Sequence, residues 1–374
     1  MTGVLESLFG SVFWSAVIKV VFAFAFLLLT ALVLVWFERR VVAFMQNRVG
    51  PNRAGPFGVL QTLADGLKLL FKEGIRPRRA EVGMYLAAPI LAMIPAFLIF
   101  LVVPIGAPIH IGDTAVTLQG ADLNIALLFV LAMSSIAVYA VVLAGWASGS
   151  KYPLLGGVRA TAQMISYEAA MGLALVPVVV LAASRLDPAE GGLGVMSFAK
   201  LVELQQGSFQ ALIPNWFVFA LAPSFLLFFT AAIAETNRAP FDLVEAESEI
   251  VGGYHTEYSG FRFAMFFLAE YINMFNVSAI AVTLFFGGWL GPGADLPYVG
   301  WLVPVFWFLV KTYALLFVFV WIRATMPRLR YDQLMAVGWK MLIPGALLWL
   351  VFFTLVQGVR TLGWPSWLEW LPWA

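Results

Sequence analysis

Apolar residues run along this chain in long, nearly unbroken stretches separated by short polar connections. A bilayer core needs about 20 apolar residues per crossing helix. Stretches meeting that requirement lie near 12–37, 82–104, 123–147, 160–183, 213–235, 262–287, 299–323 and 339–358. Inside lipid each backbone polar group must find its partner within the segment, so these runs are helices. The pattern predicts an all-α integral membrane protein of about eight transmembrane helices, forming a single polytopic membrane domain over residues 1–374. The first stretch is too long for a signal-peptide core and runs into Glu38-Arg39-Arg40 rather than small residues. It reads as a true span.

One segment departs from this pattern. Residues 57–73 are too few and too polar to cross. On a helical wheel Phe57, Leu60, Leu63, Leu67, Leu70 and Phe71 share one face, while Gln61, Asp65, Lys68 and Lys72 share the other, with Leu69 the exception. This is the pattern of an amphipathic helix lying in a membrane interface.

Composition agrees with a lipid environment. Hydrophobic residues make up 62% and charged residues 11%, against about 25% charged in soluble domains. That excludes a water-soluble enzyme. Net charge is +1, so no global field draws nucleic acid; the placement of the charges is what carries information. Of the 22 Lys and Arg residues, only Arg185, Lys200 and Arg360 fall in the even-numbered connections, and Lys19 and Lys311 fall inside spans. The rest crowd the odd-numbered connections, which places those in the cytoplasm and both termini outside. The interfacial helix then lies on the cytoplasmic side.

Cysteine is absent and only His110 and His255 represent histidine, which removes thiolate metal sites, iron–sulfur ligation and a haem-binding bundle. Phosphate-binding, dinucleotide-binding and HExxH motifs are missing as well. The chemistry is concentrated in carboxylates. The connection at about 236–261, in the run AETNRAPFDLVEAESEIVGGYHTEY (234–258), carries Glu235, Asp242, Glu245, Glu247, Glu249 and Glu257 against a single base, Arg238. Clustered acids raise one another's pKa and can pass protons near neutrality, although a plain solvated loop has the same composition. Glu168 and Glu270 lie inside spans, where a carboxylate is costly; each serves either proton transfer or an interhelical hydrogen bond. Asn273 and Asn276 follow Glu270 on nearly the same face.

Four motifs together resemble one family: MQNRVGPNRAGPFGVLQTLADGLKL (45–69), KYPLLGGVRATAQMISYE (151–168), the acidic run (234–258) and RATMPRLRYDQLMAVGWK (323–340). They are similar to the membrane-arm component of respiratory complex I, the proton-translocating NADH:quinone oxidoreductase, whose mitochondrial counterpart is NADH dehydrogenase subunit 1. The likeness covers nearly the whole chain and keeps the motif order. It implies a subunit at the junction with the peripheral redox arm that frames a quinone tunnel and couples quinone reduction to proton translocation. By motif, Glu38, Arg39, Arg48, Asp65, Arg238, Asp242, Glu245, Glu247, Glu249 and Arg323 match the quinone tunnel, and Glu168, Glu235 and Glu270 match the proton path. Thr62 departs from the family, which commonly has proline there.

The resemblance further implies that this chain binds no cofactor and is not catalytic alone. Quinone, ubiquinone or menaquinone, is the substrate, and FMN and the iron–sulfur clusters belong to partner subunits. The partners are the peripheral-arm quinone-site and iron–sulfur subunits, the small membrane-arm subunits and lipid, and the expected location is a bacterial inner membrane. Alternatives are the equivalent subunit of a membrane-bound hydrogenase or other dehydrogenase complex, and a free-standing proton-coupled transporter. A structural anchor for the redox arm is a further one; it would tolerate neutralisation of Glu168 and Glu270.

Overall fold

Long apolar runs fold here as single helices, and where they stop is decided by what they pack against. The computed structural model describes residues 11–111, 114–186, 194–209, 213–242, 251–292 and 302–361. Among these, seven helices are long and apolar enough to cross a membrane. They are contained in α1 (Val12–Met45), α3 (Val82–Leu101), α4 (Ala126–Ala147), α5 (Lys151–Arg185), α9 (Phe261–Phe285), α10 (Leu302–Thr325) and the continuous run of α11 (Tyr331–Ala336), a π turn (Val337–Leu342) and α12 (Ile343–Thr361). Between the spans lie α2 (Gln61–Phe71), α6 (Phe198–Glu203), α7 (Phe217–Ala220) and α8 (Ala222–Glu235). The fold class is all-α, as the apolar pattern predicts. Two small antiparallel ribbons were not anticipated, β1 (Ile109–Ile111) with β2 (Thr114–Val116) and β3 (Ser208–Phe209) with β4 (Ile213–Pro214). Both lie in connections, where a short ribbon pairs backbone groups that no helix satisfies.

The expected fifth span, 213–235, is the one that differs. It breaks at Leu221, whose backbone is not helical, and Pro223 opens α8. Proline is suited to a first turn and supplies no N–H to a helix running through it. With 14 residues, α8 is about 21 Å long at 1.5 Å per residue, short of the roughly 30 Å hydrocarbon core. Its last turns are covered by protein, with Phe228, Ala231, Ala232, Ile233 and Ala234 buried, while Leu226 in the first half is exposed.

Other helices overshoot their expected ends. Expected to end near 37, α1 continues to Met45; expected from 160, α5 begins at Lys151. The KYPLLGGVR motif is thus helix, with Pro153 in the first turn, where its missing N–H costs nothing. Close contacts hold this end. A Cβ on Gly157 would meet the Cα of Gly145 on α4 at 3.1 Å, and one on Gly156 would meet the Cα of Gly253 at 2.6 Å. Small residues let helices approach closely where no hydrophobic force drives them together.

The bundle packs α3 on α4, α4 on α5, α5 on α8 and on α12, and α9 against α1, α3 and α10. Its centre is aromatic, with Phe100, Phe228, Phe275, Phe285 and Phe319 fully buried. Buried polar groups tie the ends. Gln205 donates to the carbonyls of Leu201 and Thr283 and accepts from the amides of Phe217 and Gly287.

The interfacial helix α2 is shorter than the expected 57–73. Phe57 and Gly58 adopt positive φ, +54° and +72°, and a Cβ on Gly58 would sit 2.2 Å from the Pro51 carbonyl oxygen, so the chain turns there before helix begins. The wheel's apolar face, Leu60, Leu63, Leu67, Leu70 and Phe71, points away from the bundle and is exposed. The opposite face, with Thr62 buried and Asp65 and Leu69 partly so, is the one on the protein. Leu69, the misfit of the wheel, is an inward residue: its carbonyl lies near Gly260 at the start of α9.

Candidate functional site

The carboxylates assemble along one line through the bundle. At the end of α1, Glu38 is buried and paired with Arg323 near the end of α10. Its neighbour Arg39 reaches Asp65 on α2 at 2.6 Å, a half-exposed pair that pins the interfacial helix. Arg40 holds the following loop: it donates to the carbonyls of Pro51 and Phe57 and lies over the Phe44 and Phe57 rings. That loop brings Arg48, which donates to Gln46 at 2.7 Å. Glu38, Arg39, Gln46, Arg48 and Arg323, with Val42 and Val49, then line an open cleft of about 670 Å³.

From the cleft the polar line turns inward. Tyr271 on α9 neighbours Glu38 and Arg323, and the Arg238 guanidinium lies 4.4 Å from the centre of its ring. Arg238, 4% exposed, approaches Glu270 at 3.8 Å. Glu270 also meets His255 Nε2 at 3.5 Å and accepts from the Tyr254 hydroxyl at 3.3 Å. A buried carboxylate survives only with such partners.

Beyond Glu270 come two small cavities of about 40 and 50 Å³ that share Glu235, Thr236 and Asn273. Oxygens of Glu235, Asn237, Asn273 and Asn276 are buried around them without a protein hydrogen-bond partner. The walls are mostly apolar, and these oxygens are the polar points at which a water, needing about 10–15 Å³ by the same measure, could be held. On the far side the Ser134 hydroxyl donates to Glu235, and the adjacent Ser135 donates to the half-buried Glu168. Glu38, Arg323, Tyr271, Arg238, Glu270, Glu235 and Glu168 therefore follow one another from an open cleft to the α4–α5 surface.

The bend after α8 makes this possible. Asn237 takes positive φ, +51°, which asparagine tolerates better than most residues. Gln163 on α5 donates to the carbonyls of Ala234 and Phe241 at 2.7 and 2.8 Å, clamping both sides of the bend. Asp242 is buried 3.7 Å from Arg328. The return segment 251–260 docks on α3: the Tyr258 ring stacks on Tyr85 at 4.3 Å, and its hydroxyl donates to the Tyr85 carbonyl. Burial pushes the Tyr258 phenol pKa up, so it stays a neutral donor.

Of the residues expected in the tunnel, Glu38, Arg39, Arg48 and Arg323 share the cleft, and Asp65 borders it through Arg39. Arg238 lies instead beside Glu270, and Asp242 pairs with Arg328. Glu245, Glu247 and Glu249 lie outside the described residues. Reading the sequence missed Tyr254, His255 and Tyr271 as partners, and Ser134-Ser135 and Gln163 as supports. A serine pair in an otherwise apolar span was the available signal. Among the described residues no group of three or more His, Asp or Glu side chains could hold a metal ion. A family model described as NADH dehydrogenase matches residues 18–354.

Proposed function

Because the chain belongs to the NADH dehydrogenase subunit 1 family, whose members are membrane subunits of complex I, we propose that it frames the quinone tunnel at the junction of the membrane and peripheral arms and couples quinone reduction to proton translocation. One observation supports this reading above the others: ionisable side chains, with two small cavities between Glu270 and Glu235, lead from an open cleft to Glu168 through the bundle. An isolated membrane anchor has no need of such a line, and burying it is costly.

Quinone reduction takes up two electrons and two protons, so charge arises transiently in the cleft beside Glu38 and Arg323. A unit charge 4 Å from a carboxylate at an effective dielectric of 20 changes its energy by about 4 kcal/mol, or about three pKa units. The Glu38–Arg323 pair meets that charge first. A change of protonation there acts on Glu270 through the field of Arg238, which keeps its proton throughout, and across the two small cavities on Glu235 and Glu168, as a coupled titration. Arg39, Arg48, Asp65 and Asp242 shape the cleft and its approach. Glu245, Glu247 and Glu249 belong to the same proposal through their motif. In this reading the chain works in a bacterial plasma membrane beside subunits that hold FMN and iron–sulfur clusters, and it is not catalytic alone.

Glu235→Gln tests the reading, because it keeps shape and the Ser134 contact but removes the titratable group. In inverted membrane vesicles, NADH:quinone reductase activity and proton uptake should fall together by about tenfold or more, roughly 1.4 kcal/mol in the barrier, at unchanged levels of assembled complex. Full rates and full pumping in an assembled variant would remove Glu235 from the route.

A further inference from the structure

Lys19 and Lys311 sit inside membrane-spanning helices, and their surroundings differ. The Lys311 ammonium donates to the carbonyls of Phe286, Gly288 and Leu290 at 2.8, 3.1 and 2.6 Å, which uses all three of its hydrogens. Lys19 on α1 makes one hydrogen bond, to the Thr117 hydroxyl at 2.9 Å, and no described carboxylate lies within ion-pair reach. A cation on a span is costly unless a counter-charge reaches it, and none comes from the described residues.

Lys19 stands at the side of a cleft of about 190 Å³ between α1 and the stretch after β2. The walls are Phe22, Phe100, Leu101, Ile105 and Leu118, and Thr117 borders it beside the amine. The outward face of α1 next to it is apolar and exposed, with Trp14, Val20, Val21 and Phe24 all more than half open. The cleft lies at the end of the bundle opposite the Glu38 cleft, because α1 starts there and α3 ends there.

We propose that this cleft binds an anionic phospholipid, with its phosphate on Lys19 Nζ and the Thr117 hydroxyl and one acyl chain along Phe22, Phe100 and Leu118. The charge complementarity selects the ligand. A lysine stem reaches up to headgroup level while its methylenes stay in the acyl region, and the amine keeps two hydrogens for phosphate oxygens. A headgroup carrying its own cation would set that charge against Lys19, so a phosphatidylglycerol-type lipid is preferred over phosphatidylcholine. One lysine near an anionic surface contributes enough for about a fivefold preference.

The experiment places a benzophenone amino acid at Phe22 in the intact complex, reconstituted in equal parts phosphatidylglycerol and phosphatidylcholine, and identifies the photo-adduct by mass spectrometry. The expected adduct is phosphatidylglycerol, enriched about fivefold over phosphatidylcholine, with the enrichment lost in Lys19→Met and kept in Lys19→Arg. Native mass spectrometry of the complex without the label should show one fewer retained anionic lipid in Lys19→Met. An adduct to a peptide of another subunit would show that a protein side chain neutralises Lys19 and would overturn the proposal. So would an adduct in the bulk lipid ratio, or an enrichment that Lys19→Met leaves unchanged.

Discussion

Replacing Gly156 with alanine should damage a site that Gly156 does not touch. The added Cβ would fall 2.6 Å from Gly253 Cα, 2.8 Å from the Gly253 carbonyl carbon and 3.0 Å from the Tyr254 amide nitrogen. All three are backbone atoms, so no side chain can swing aside. Either α5 moves off, or the 3-10 turn Gly253–His255 is displaced, and that turn carries both Tyr254 and His255 to Glu270. Overpacking of this kind costs about 1–3 kcal/mol, a factor of roughly 5–150 in the balance between docked and undocked turn. Gly172, on the same helix, supplies the control: a Cβ there meets nothing within 4 Å, and alanine in a helix interior gains about 0.5–1 kcal/mol over glycine. Quinone reductase rate per assembled complex and inactivation temperature should both fall in Gly156→Ala. Both should hold or rise in Gly172→Ala. The reasoning fails if the two variants behave alike.

Other expectations follow from the buried polar contacts. Arg323→Met takes from Glu38 its ion-pair partner at the wall of the open cleft and should cost about 1–3 kcal/mol, read as a lower inactivation temperature of the purified complex. Adding Glu38→Gln should restore part of that loss, and strictly additive single effects would show that the two side chains do not interact. Lys311→Met leaves the carbonyls of Phe286, Gly288 and Leu290 without their donor, at about 1–3 kcal/mol for each buried group left unpaired. Less assembled complex on a native gel is the expected result, and wild-type thermal resistance would contradict it.

Much of the membrane topology was legible in the sequence, because lipid imposes a rule on local composition. A segment that crosses must be apolar for about 20 residues whatever its neighbours are, so seven spans appear where the pattern puts them. The fifth departed because the chain breaks at Leu221, ahead of Pro223, into two shorter helices. Helix ends were less legible. α1 and α5 continue past the ends that hydropathy sets, and Gly156 and Gly157 betray nothing of the backbones they approach. The same holds for α2: periodicity identified its two faces and left open which one meets the protein. The apolar face is turned outward, and Leu69, the one apolar residue on the other side, is turned in.

The candidate site divides along the same boundary. Its acids stood out singly, since a carboxylate in an apolar run is conspicuous in any sequence. Their order did not. Glu38 and Arg323 are 285 residues apart, and nothing local ties one to the other. Arg238 sits among acids in the sequence but lies beside Glu270 because Gln163 and the positive φ of Asn237 turn the chain inward. Tyr254 and His255 look like the tail of a polar loop until the 3-10 turn lays them on α9. Residue chemistry was settled by composition and spacing, which act over a few neighbours; the route linking those residues depends on contacts between distant segments, and only packing brings these together.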